Sequence, residues 1–254
     1  MPDFLILGGQ KCGTTSLYQY FLQHPQILAA KEKEIHFFDL AFHCGVDWYE
    51  TFFPRKPSAA KYLVGEATPY YLFHPLVPQR VAQWYPHMKF IVLLRNPVER
   101  AISQYYHEVR LGFESLSLPA AIAQESKRLA GEVEKMISYK YYPSYNHQHY
   151  SYVSRSLYLE QIQRWMAYFP RSQFCILPSE TFFQNPQTTL DRVFAFLQLP
   201  SFPISIDSQH NRGEYPHTLR QILDRYRIRR KLTRYFAEPN RQLANFLQQD
   251  FSWG

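Results

Sequence analysis

Short, uninterrupted apolar runs recur along this chain and predict the strands of a buried sheet. They occupy residues 4–7, 62–65, 90–94 and 174–177. A strand that covers one face of a core alternates apolar and polar residues, whereas a continuous apolar run is typical of a parallel strand covered on both faces. The pattern therefore predicts an α/β protein with a central parallel sheet flanked by helices.

Between these runs, apolar residues recur with helical spacing. The expected helices cover residues 15–23, 97–111, 156–169 and 186–197. Asn96-Pro97 and Asn185-Pro186 each place a capping side chain before a proline at the first helical position, which marks a helix start. Strands that alternate with helices predict a doubly wound fold. Because no long linker interrupts the pattern, we expect a single domain over residues 1–254.

Two segments depart from the alternation. Residues 139–152 (YKYYPSYNHQHYSY) are polar and aromatic without helical periodicity. We expect a long surface loop there, either a plain ordered loop or a lip on which sugar rings stack. Residues 217–236 carry seven Arg or Lys against one acid. We interpret them as a solvated helix face, with docking of an anionic partner as the alternative.

Composition narrows the class of partner and the cellular environment. The net charge of +7 favours an anionic partner but does not choose among a nucleotide, an acidic glycan, a nucleic acid and a membrane surface. Three cysteines, odd in number and widely spaced, indicate free thiols and not a disulfide framework or a zinc site. The first strand begins at Phe4 and no apolar run has the length of a membrane span, so we expect a soluble cytoplasmic protein, and a bacterial one.

The turn after the first strand has the composition of an anion site. It reads Gly8-Gly9-Gln10-Lys11-Cys12-Gly13-Thr14-Thr15-Ser16 and leads into a helix. Backbone N–H groups and the positive end of the helix dipole converge at such a turn, and the lysine and hydroxyls add further donors. The lysine precedes Gly13 by two residues, so this is not the Walker A order, in which lysine follows the second glycine. The residues predicted to bind a phosphate group are Lys11, Cys12, Gly13, Thr14, Thr15 and Ser16.

A second anion motif follows the third apolar run. Arg95 stands at the carboxyl end of that strand, where ligands bind in open α/β sheets. Ser103 lies about two helical turns further on. The order K-x-G-T-T-S of the first motif resembles the 5′-phosphosulfate loop of sulfotransferases that use 3′-phosphoadenosine 5′-phosphosulfate (PAPS). Arg95-Asn96-Pro97 with Arg100 and Ser103 resembles their 3′-phosphate motif. The resemblance implies a P-loop-kinase-like sulfotransferase fold, with Arg95 and Ser103 on the donor.

A third motif resembles the heparan sulfate branch of that family, the glucosaminyl 3-O- and N-sulfotransferases. It reads Lys31-Glu32-Lys33-Glu34-Ile35-His36-Phe37-Phe38-Asp39. In that branch the residue matching Glu34 is the proposed general base, and those matching His36 and Asp39 line the acceptor site. The chemistry is sound, because a carboxylate can accept the proton that an attacking hydroxyl loses. The alternative is a solvated charge run followed by core phenylalanines.

The resemblance extends over nearly the whole chain. Residues 65–71 (GEATPYY) are similar to the G-E-K-[ST]-P-x-Y segment of the family, but Ala67 stands where the family has lysine. That change argues against heparan-like acceptors and favours a neutral or weakly acidic glycan or a glycosylated metabolite. The resemblance implies that the acceptor contacts are Lys33, His36, Asp39, Thr68 and Tyr70. Residues 210–216 resemble a late glycine-containing loop that closes over the donor in that family, which implies donor contacts at Arg212, Gly213 and Tyr215.

The sequence thus predicts a PAPS-dependent sulfotransferase that moves a sulfuryl group to a hydroxyl or amine of a carbohydrate or hydrophilic metabolite. Lys11 stabilises the leaving phosphate, and Glu34 accepts the proton with His36 orienting the acceptor. We expect no metal requirement, because lysine and arginine neutralise the donor, and neither a nucleic-acid partner nor a membrane span. Two alternatives stay open, a small-molecule kinase with an atypical phosphate loop and a catalytically silent protein that binds PAPS or a glycan.

Overall fold

The computed structural model describes residues 1–57, 62–139, 141–206 and 218–253. The strands are β1 (Phe4–Gly8), β2 (Ile27–Ala29), β3 (Leu63–Ala67), β4 (Lys89–Leu94) and β5 (Phe174–Pro178). The helices are α1 (Thr14–Phe21), α2 (Val46–Glu50), α3 (Tyr70–Phe73), α4 (Val77–Trp84), α5 (Pro97–Arg110), α6 (Leu118–Leu129), α7 (Glu132–Ser138), α8 (Tyr145–His149), α9 (Tyr158–Met166), α10 (Ser179–Gln184), α11 (Pro186–Leu197) and α12 (Leu219–Leu247). Single 3₁₀ turns lie at Phe42–Cys44, Ser154–Ser156 and Arg171–Gln173.

The strands form one parallel sheet in the order β2-β3-β1-β4-β5. Phe4 of β1 lies opposite Gly65 of β3 and Lys89 of β4. A Cβ atom at position 65 would lie 2.4 Å from the Phe4 carbonyl oxygen, so this close pairing requires the glycine. In the strand order, the chain passes from β1 to β2 toward one edge of the sheet and from β4 to β5 toward the other edge. The switch point, where open α/β sheets bind ligands, therefore falls at the carboxyl ends of β1 and β4.

The chain divides into two compact units, each with its own core. The first comprises Met1–Leu94 with Arg164–His210. It holds the sheet, and its core includes Phe4, Phe21 and Phe194. The second comprises Arg95–Gln163 with Asn211–Gly254, and helices α5, α6 and α12 pack there around Tyr152 and Phe236. The organisation of residues 1–254 as a single domain stays a prediction.

The predicted strands are all confirmed, each within two residues at its ends. The helices predicted over residues 15–23, 97–111, 156–169 and 186–197 are observed as α1, α5, α9 and α11. The three-residue edge strand β2 was not predicted, because so short a run carries no periodicity. Asn96 caps α5 as expected, with its side chain accepting from the amides of Val98 and Glu99 at 3.0 and 3.3 Å.

The expectation of an irregular loop over residues 139–152 is wrong in part. Helix α8 lies within it, and the Ser144 hydroxyl caps that helix by accepting from the His147 amide at 3.1 Å. Tyr152 is fully buried and its hydroxyl donates to Glu114 at 2.8 Å. His147 and Tyr152 therefore pack inside the second unit, while Tyr145 stays exposed. The sequence YNHQH of α8 has no apolar stripe, so its periodicity does not predict a helix. The helix packs through contacts with residues distant in the chain.

The structure also describes the cysteines and the character of the helices. All three cysteines are free thiols, with Cys12 and Cys175 buried and Cys44 exposed. Within the described ranges, the helices include none with both the length and the apolar character that a bilayer crossing requires.

Candidate active site

The turn between β1 and α1 adopts the backbone of an anion cradle. Lys11 and Gly13 are both left-handed, with φ of 72° and 95°. A side chain at position 13 would also meet the Phe183 ring, at 2.6 Å from a built Cβ atom. The N-cap residue of α1 is Gly13, which has no side chain that could accept from the first-turn amides, and those amides have no partner within the helix. The amides of Thr14, Thr15 and Ser16 can therefore donate to a bound phosphate.

Buried groups hold this turn in shape. Cys12 is fully buried, its amide donates to the Gly9 carbonyl at 3.0 Å, and its carbonyl accepts from the Ser179 hydroxyl at 2.6 Å. Lys11 and Thr15 are only half-buried. The structure thus gives Cys12 a supporting position inside the turn and leaves Lys11 and Thr15 at its surface. All of the phosphate contacts remain predictions.

Four side chains of the segment that follows β2 form one charged cluster. Lys33 Nζ lies 2.8 Å from Glu34 Oε1, and His36 Nε2 lies 3.5 Å from Glu34 Oε2. The other ring nitrogen of His36, Nδ1, donates to Asp39 Oδ2 at 2.7 Å. The Asp39 carboxylate is fully buried, whereas 41% of the Glu34 side chain is exposed. The His36 imidazole therefore lies between the carboxylates of Glu34 and Asp39. The solvent-exposed carboxylate, that of Glu34, lies between the cations of Lys33 and His36.

This arrangement sets the protonation states. Burial raises the pKa of Glu34, but the hydrogen bond from His36 and the charge and hydrogen bond of Lys33 outweigh it and lower the pKa to about 2. Burial lowers the pKa of His36, but the hydrogen bonds and charges of Asp39 and Glu34 outweigh it and raise the pKa to about 10. At neutral pH Glu34 is therefore an anion and His36 a cation.

The cluster depends on a backbone that is costly to form. Glu34 and His36 have left-handed φ angles of 62° and 54°, which cost about 1–3 kcal/mol each outside glycine. Hydrogen bonds from the amides between and after these two residues hold this backbone. The Ile35 amide donates to Glu66 Oε2 at 3.4 Å, and the amides at positions 37 and 38 donate to the Tyr71 hydroxyl at 2.8 and 3.3 Å.

Glu66 is the centre of this support. It is fully buried at the end of β3 and accepts from the hydroxyls of Thr68, Tyr49 and Tyr71 at 2.7, 2.8 and 3.0 Å. Burial raises the pKa of Glu66, and the hydrogen bonds from these hydroxyls oppose the rise. Sequence reasoning assigned no role to Glu66, Tyr49 or Tyr71. The available signal was an acid inside the otherwise buried strand Leu63–Ala67, since an ionisable group there needs partners.

The other predicted acceptor residues lie in this support or beside it. Thr68 is fully buried and donates its hydroxyl to Glu66. Tyr70 is buried, with its ring edge-on to His74 at 5.5 Å between centroids. Ala67 is also fully buried. The structure brings Lys33, Glu34, His36 and Asp39 together and gives Thr68 a positioning contact, while acceptor contacts at these residues remain predictions.

The second predicted donor motif begins where β4 ends. Arg95 is half-buried, and its carbonyl accepts from the Tyr158 hydroxyl at 2.8 Å. Ser103 is buried on α5. Arg100, part of the same motif, is fully buried and donates to Ser156 Oγ at 2.5 Å, to Gln104 Oε1 at 2.8 Å and to the carbonyl of residue 152. Arg100 therefore secures the second unit. The predicted donor contacts Arg212, Gly213 and Tyr215 lie outside the described residues.

This chain is similar in sequence and in structure to known proteins. The model of the sulfotransferase domain family matches residues 1–221. A crystal structure of a sulfotransferase from Alicyclobacillus acidocaldarius is 30% identical, with a TM-score of 0.77 over 100% of this chain and 98% of that one.

Three further proteins are similar to this chain at slightly lower sequence identity. The human heparan sulfate glucosamine 3-O-sulfotransferase 6 is 29% identical over 273 residues, which cover 100% of this chain and 74% of that protein. The membrane-associated sulfotransferase kil1 of Dictyostelium discoideum is 26% identical over 319 residues, and the match covers 100% of this chain and 66% of that protein. The human bifunctional heparan sulfate N-deacetylase/N-sulfotransferase 2 is 28% identical over 80% of this chain, which spans 22% of that enzyme.

Proposed function

This chain belongs to the sulfotransferase family, and from that premise we propose that it moves a sulfuryl group from PAPS to a hydroxyl or amine of a carbohydrate or hydrophilic metabolite. The predicted sulfotransferase family is confirmed by the family match, and the sulfotransferase relatives support the enzyme class. Dependence on PAPS is part of the proposal. The predicted fold class is confirmed by the parallel sheet with its helices and by the similar crystal structure.

One observation carries the proposal for the site. An uncapped helix N-terminus follows β1, and an ionised carboxylate between two cations follows β2 in the same parallel sheet. The carboxyl ends of parallel strands lie at one edge of a sheet. A site at that edge has one segment, after β1, that can bind a phosphate group and another, after β2, that can accept a proton.

The donor side of the proposal rests on the turn after β1. PAPS would supply the sulfuryl group and leave as the 3′,5′-bisphosphate. The uncapped amides of α1 fit a phosphate, and Lys11 adds a positive charge where negative charge develops on the leaving oxygen. Following the resemblance, we assign Arg95 and Ser103 to the 3′-phosphate and Arg212, Gly213 and Tyr215 to further donor contacts.

The acceptor side rests on Glu34. In the proposed step the acceptor oxygen bonds to sulfur, the bond between sulfur and the phosphate oxygen breaks, and the acceptor proton moves to the Glu34 carboxylate. Glu34 is ionised and partly exposed, so it is ready to accept a proton. Its pKa of about 2 makes it a weak base. We therefore propose that the acceptor displaces Lys33 from Glu34 Oε1, which raises the basicity of Glu34 when it is needed.

For the acceptor we propose a neutral or weakly acidic glycan or a glycosylated metabolite. Ala67 is fully buried and contributes no cation where the family motif has lysine. The human relative is a heparan sulfate glucosamine 3-O-sulfotransferase, and we extend from it only the carbohydrate character of the acceptor. Lys33, His36, Asp39, Thr68 and Tyr70 are the proposed residues around it.

The decisive experiment measures transfer of radiolabelled sulfate from PAPS to a panel of heparan fragments, neutral oligosaccharides, phenols and steroids. We expect transfer by the wild type, and a loss of about two to four orders of magnitude in Glu34→Gln with binding of the bisphosphate retained. Glu32→Gln is the matched control, since Glu32 is an exposed acid in the same segment. Near-normal activity in Glu34→Gln would move the base elsewhere.

The same panel separates the two alternatives. Transfer from labelled ATP with magnesium, and none from PAPS, would favour the kinase. Binding of the bisphosphate with no transfer to any acceptor would favour a silent binding protein. A preference for phenols or steroids would overturn the carbohydrate acceptor and leave sulfuryl transfer intact.

A further inference from the structure

Nearly all of the net charge of this chain lies on one helix. Helix α12 (Leu219–Leu247) contains eight of the 28 Arg and Lys residues and two of the 21 acids. Its net charge is therefore +6, against +7 for the whole chain. Charge on this scale creates a local positive potential that favours negatively charged surfaces.

The cations of α12 are ordered on one face. At about 100° per residue, five of them fall within a sector of roughly 100° that extends about 20 Å along the axis. This cationic face consists of Arg220, Arg227, Arg230, Lys231 and Arg234. The opposite face carries Ile228, Leu232 and Phe236, which are buried in the core of the second unit. The cationic face therefore points away from that core.

Two other arginines of α12 pair with carboxylates. Arg229 pairs with Glu99 at 2.9 Å, and Arg241 pairs with Glu238 at 2.5 Å. Among the residues that the structure describes, no ion pair involves the five cations of the cationic face. Four of them, with Tyr226, line a shallow depression of about 440 Å³.

Exposed apolar side chains lie directly beside the cationic face. Leu219 is 74% exposed and Tyr226 59%, and Ile222 and Leu223 are exposed as well. Residues 219–223, the start of α12, are all exposed, whereas Asp224 and Arg225 are half-buried. We name these four residues the apolar stripe. A helix that presents apolar side chains beside a row of cations has the pattern of one that lies in the interface of a bilayer.

We propose that the first four turns of α12 dock on a membrane surface that contains anionic lipids. The cationic face meets the lipid headgroups, and the apolar stripe enters the boundary with the acyl chains. A soluble polyanion such as an acidic glycan or a nucleic acid would satisfy the cations but leave Leu219, Ile222 and Leu223 in water. The proposal is independent of the proposed catalytic function.

Vesicle co-sedimentation of the full chain tests the docking. We expect binding to phosphatidylcholine vesicles with about 30% phosphatidylserine, and weak binding to phosphatidylcholine alone. Arg227→Gln/Arg234→Gln should lower the affinity about 30-fold, because each surface cation contributes about fivefold. The control Lys127→Gln/Arg192→Gln removes the same charge from exposed cations elsewhere and should bind as the wild type does.

A second variant tests the apolar contribution. Leu219→Gln/Leu223→Gln leaves the charge unchanged, affects only exposed side chains and should weaken vesicle binding while binding to dextran sulfate is retained. Circular dichroism verifies that both variants are folded. Equal binding to both vesicle types, equal losses in the variant and control pairs, or binding to dextran sulfate without binding to anionic vesicles would each overturn the proposal.

Discussion

Replacing Asp39 by asparagine removes one of the two carboxylates that hold a proton on His36. In the native protein Asp39 Oδ2 accepts from His36 Nδ1 at 2.7 Å, and Oδ1 accepts from the Leu40 amide at 2.7 Å. Asparagine keeps the size of the side chain and can still accept from Leu40. Its amide group then faces the imidazole and donates to the neutral ring instead of accepting from the cation. Glu34, at 3.5 Å, remains the other partner of His36.

The size of the effect follows from the bond that is lost. A hydrogen bond to a charged group contributes about 1.5–3 kcal/mol, and one pKa unit corresponds to about 1.36 kcal/mol. The pKa of His36, about 10 in the native protein, should therefore fall by roughly one to two units. Because the folded pKa of His36 is raised, its contribution to stability is complete below the unfolded pKa of about 6.5 and is lost as pH rises through the folded pKa. Because Asp39→Asn lowers only the folded pKa, that loss should be smaller and complete at a lower pH than in the wild type.

NMR titration of the histidine ring protons measures this directly. We expect the His36 resonance of the wild type to titrate near pH 10, and that of Asp39→Asn at lower pH. Asp47→Asn is the control, because Asp47 is an exposed acid on α2. A wild-type His36 that titrates near its ordinary value of about 6.5 would refute the reasoning, as would an unchanged titration in Asp39→Asn.

Four further outcomes follow from the site. Glu66→Gln should lower the free energy of unfolding by about 1–3 kcal/mol, because an amide cannot accept from all of the hydroxyls around it; unchanged urea denaturation would contradict this. Since the pKa of Glu34 in the free protein is lowered to about 2, kcat/KM, which reports the free enzyme, should persist below pH 4.5 as far as the fold allows, and an acid limb near 4.5 in the kcat/KM profile would assign the base to another group. Lys11→Ala should reduce kcat far more than donor affinity, whereas Arg95→Ala should weaken binding of the 3′-phosphorylated nucleotide and spare adenosine 5′-phosphosulfate; equal wild-type affinity for the two nucleotides would remove the 3′-phosphate assignment.

Local sequence determined the framework of this protein. Continuous apolar runs specified β1, β3, β4 and β5, because strands that are buried on both faces are mostly apolar along their length. The Asn96-Pro97 pair specified the start of α5, since a capping side chain and a fixed φ act within a few residues. The turn around Lys11 and Gly13 was also readable, because its conformation depends on its own glycines and on the strand and helix that it joins.

Tertiary structure alone decided how the charged cluster is held and what protonation states it has. Glu66 and Tyr71 reach amides more than thirty residues earlier in the chain, and no local period records such a contact. The same applies to Arg100. Its motif resembles a ligand-binding one, but its guanidinium donates to acceptors at residues 152 and 156 of its own unit. A pKa depends on burial and on every charge within a few ångströms. The Lys33, Glu34, His36 and Asp39 side chains could be recognised from the sequence, but only the fold places Glu34 between two cations and makes His36 a cation at neutral pH.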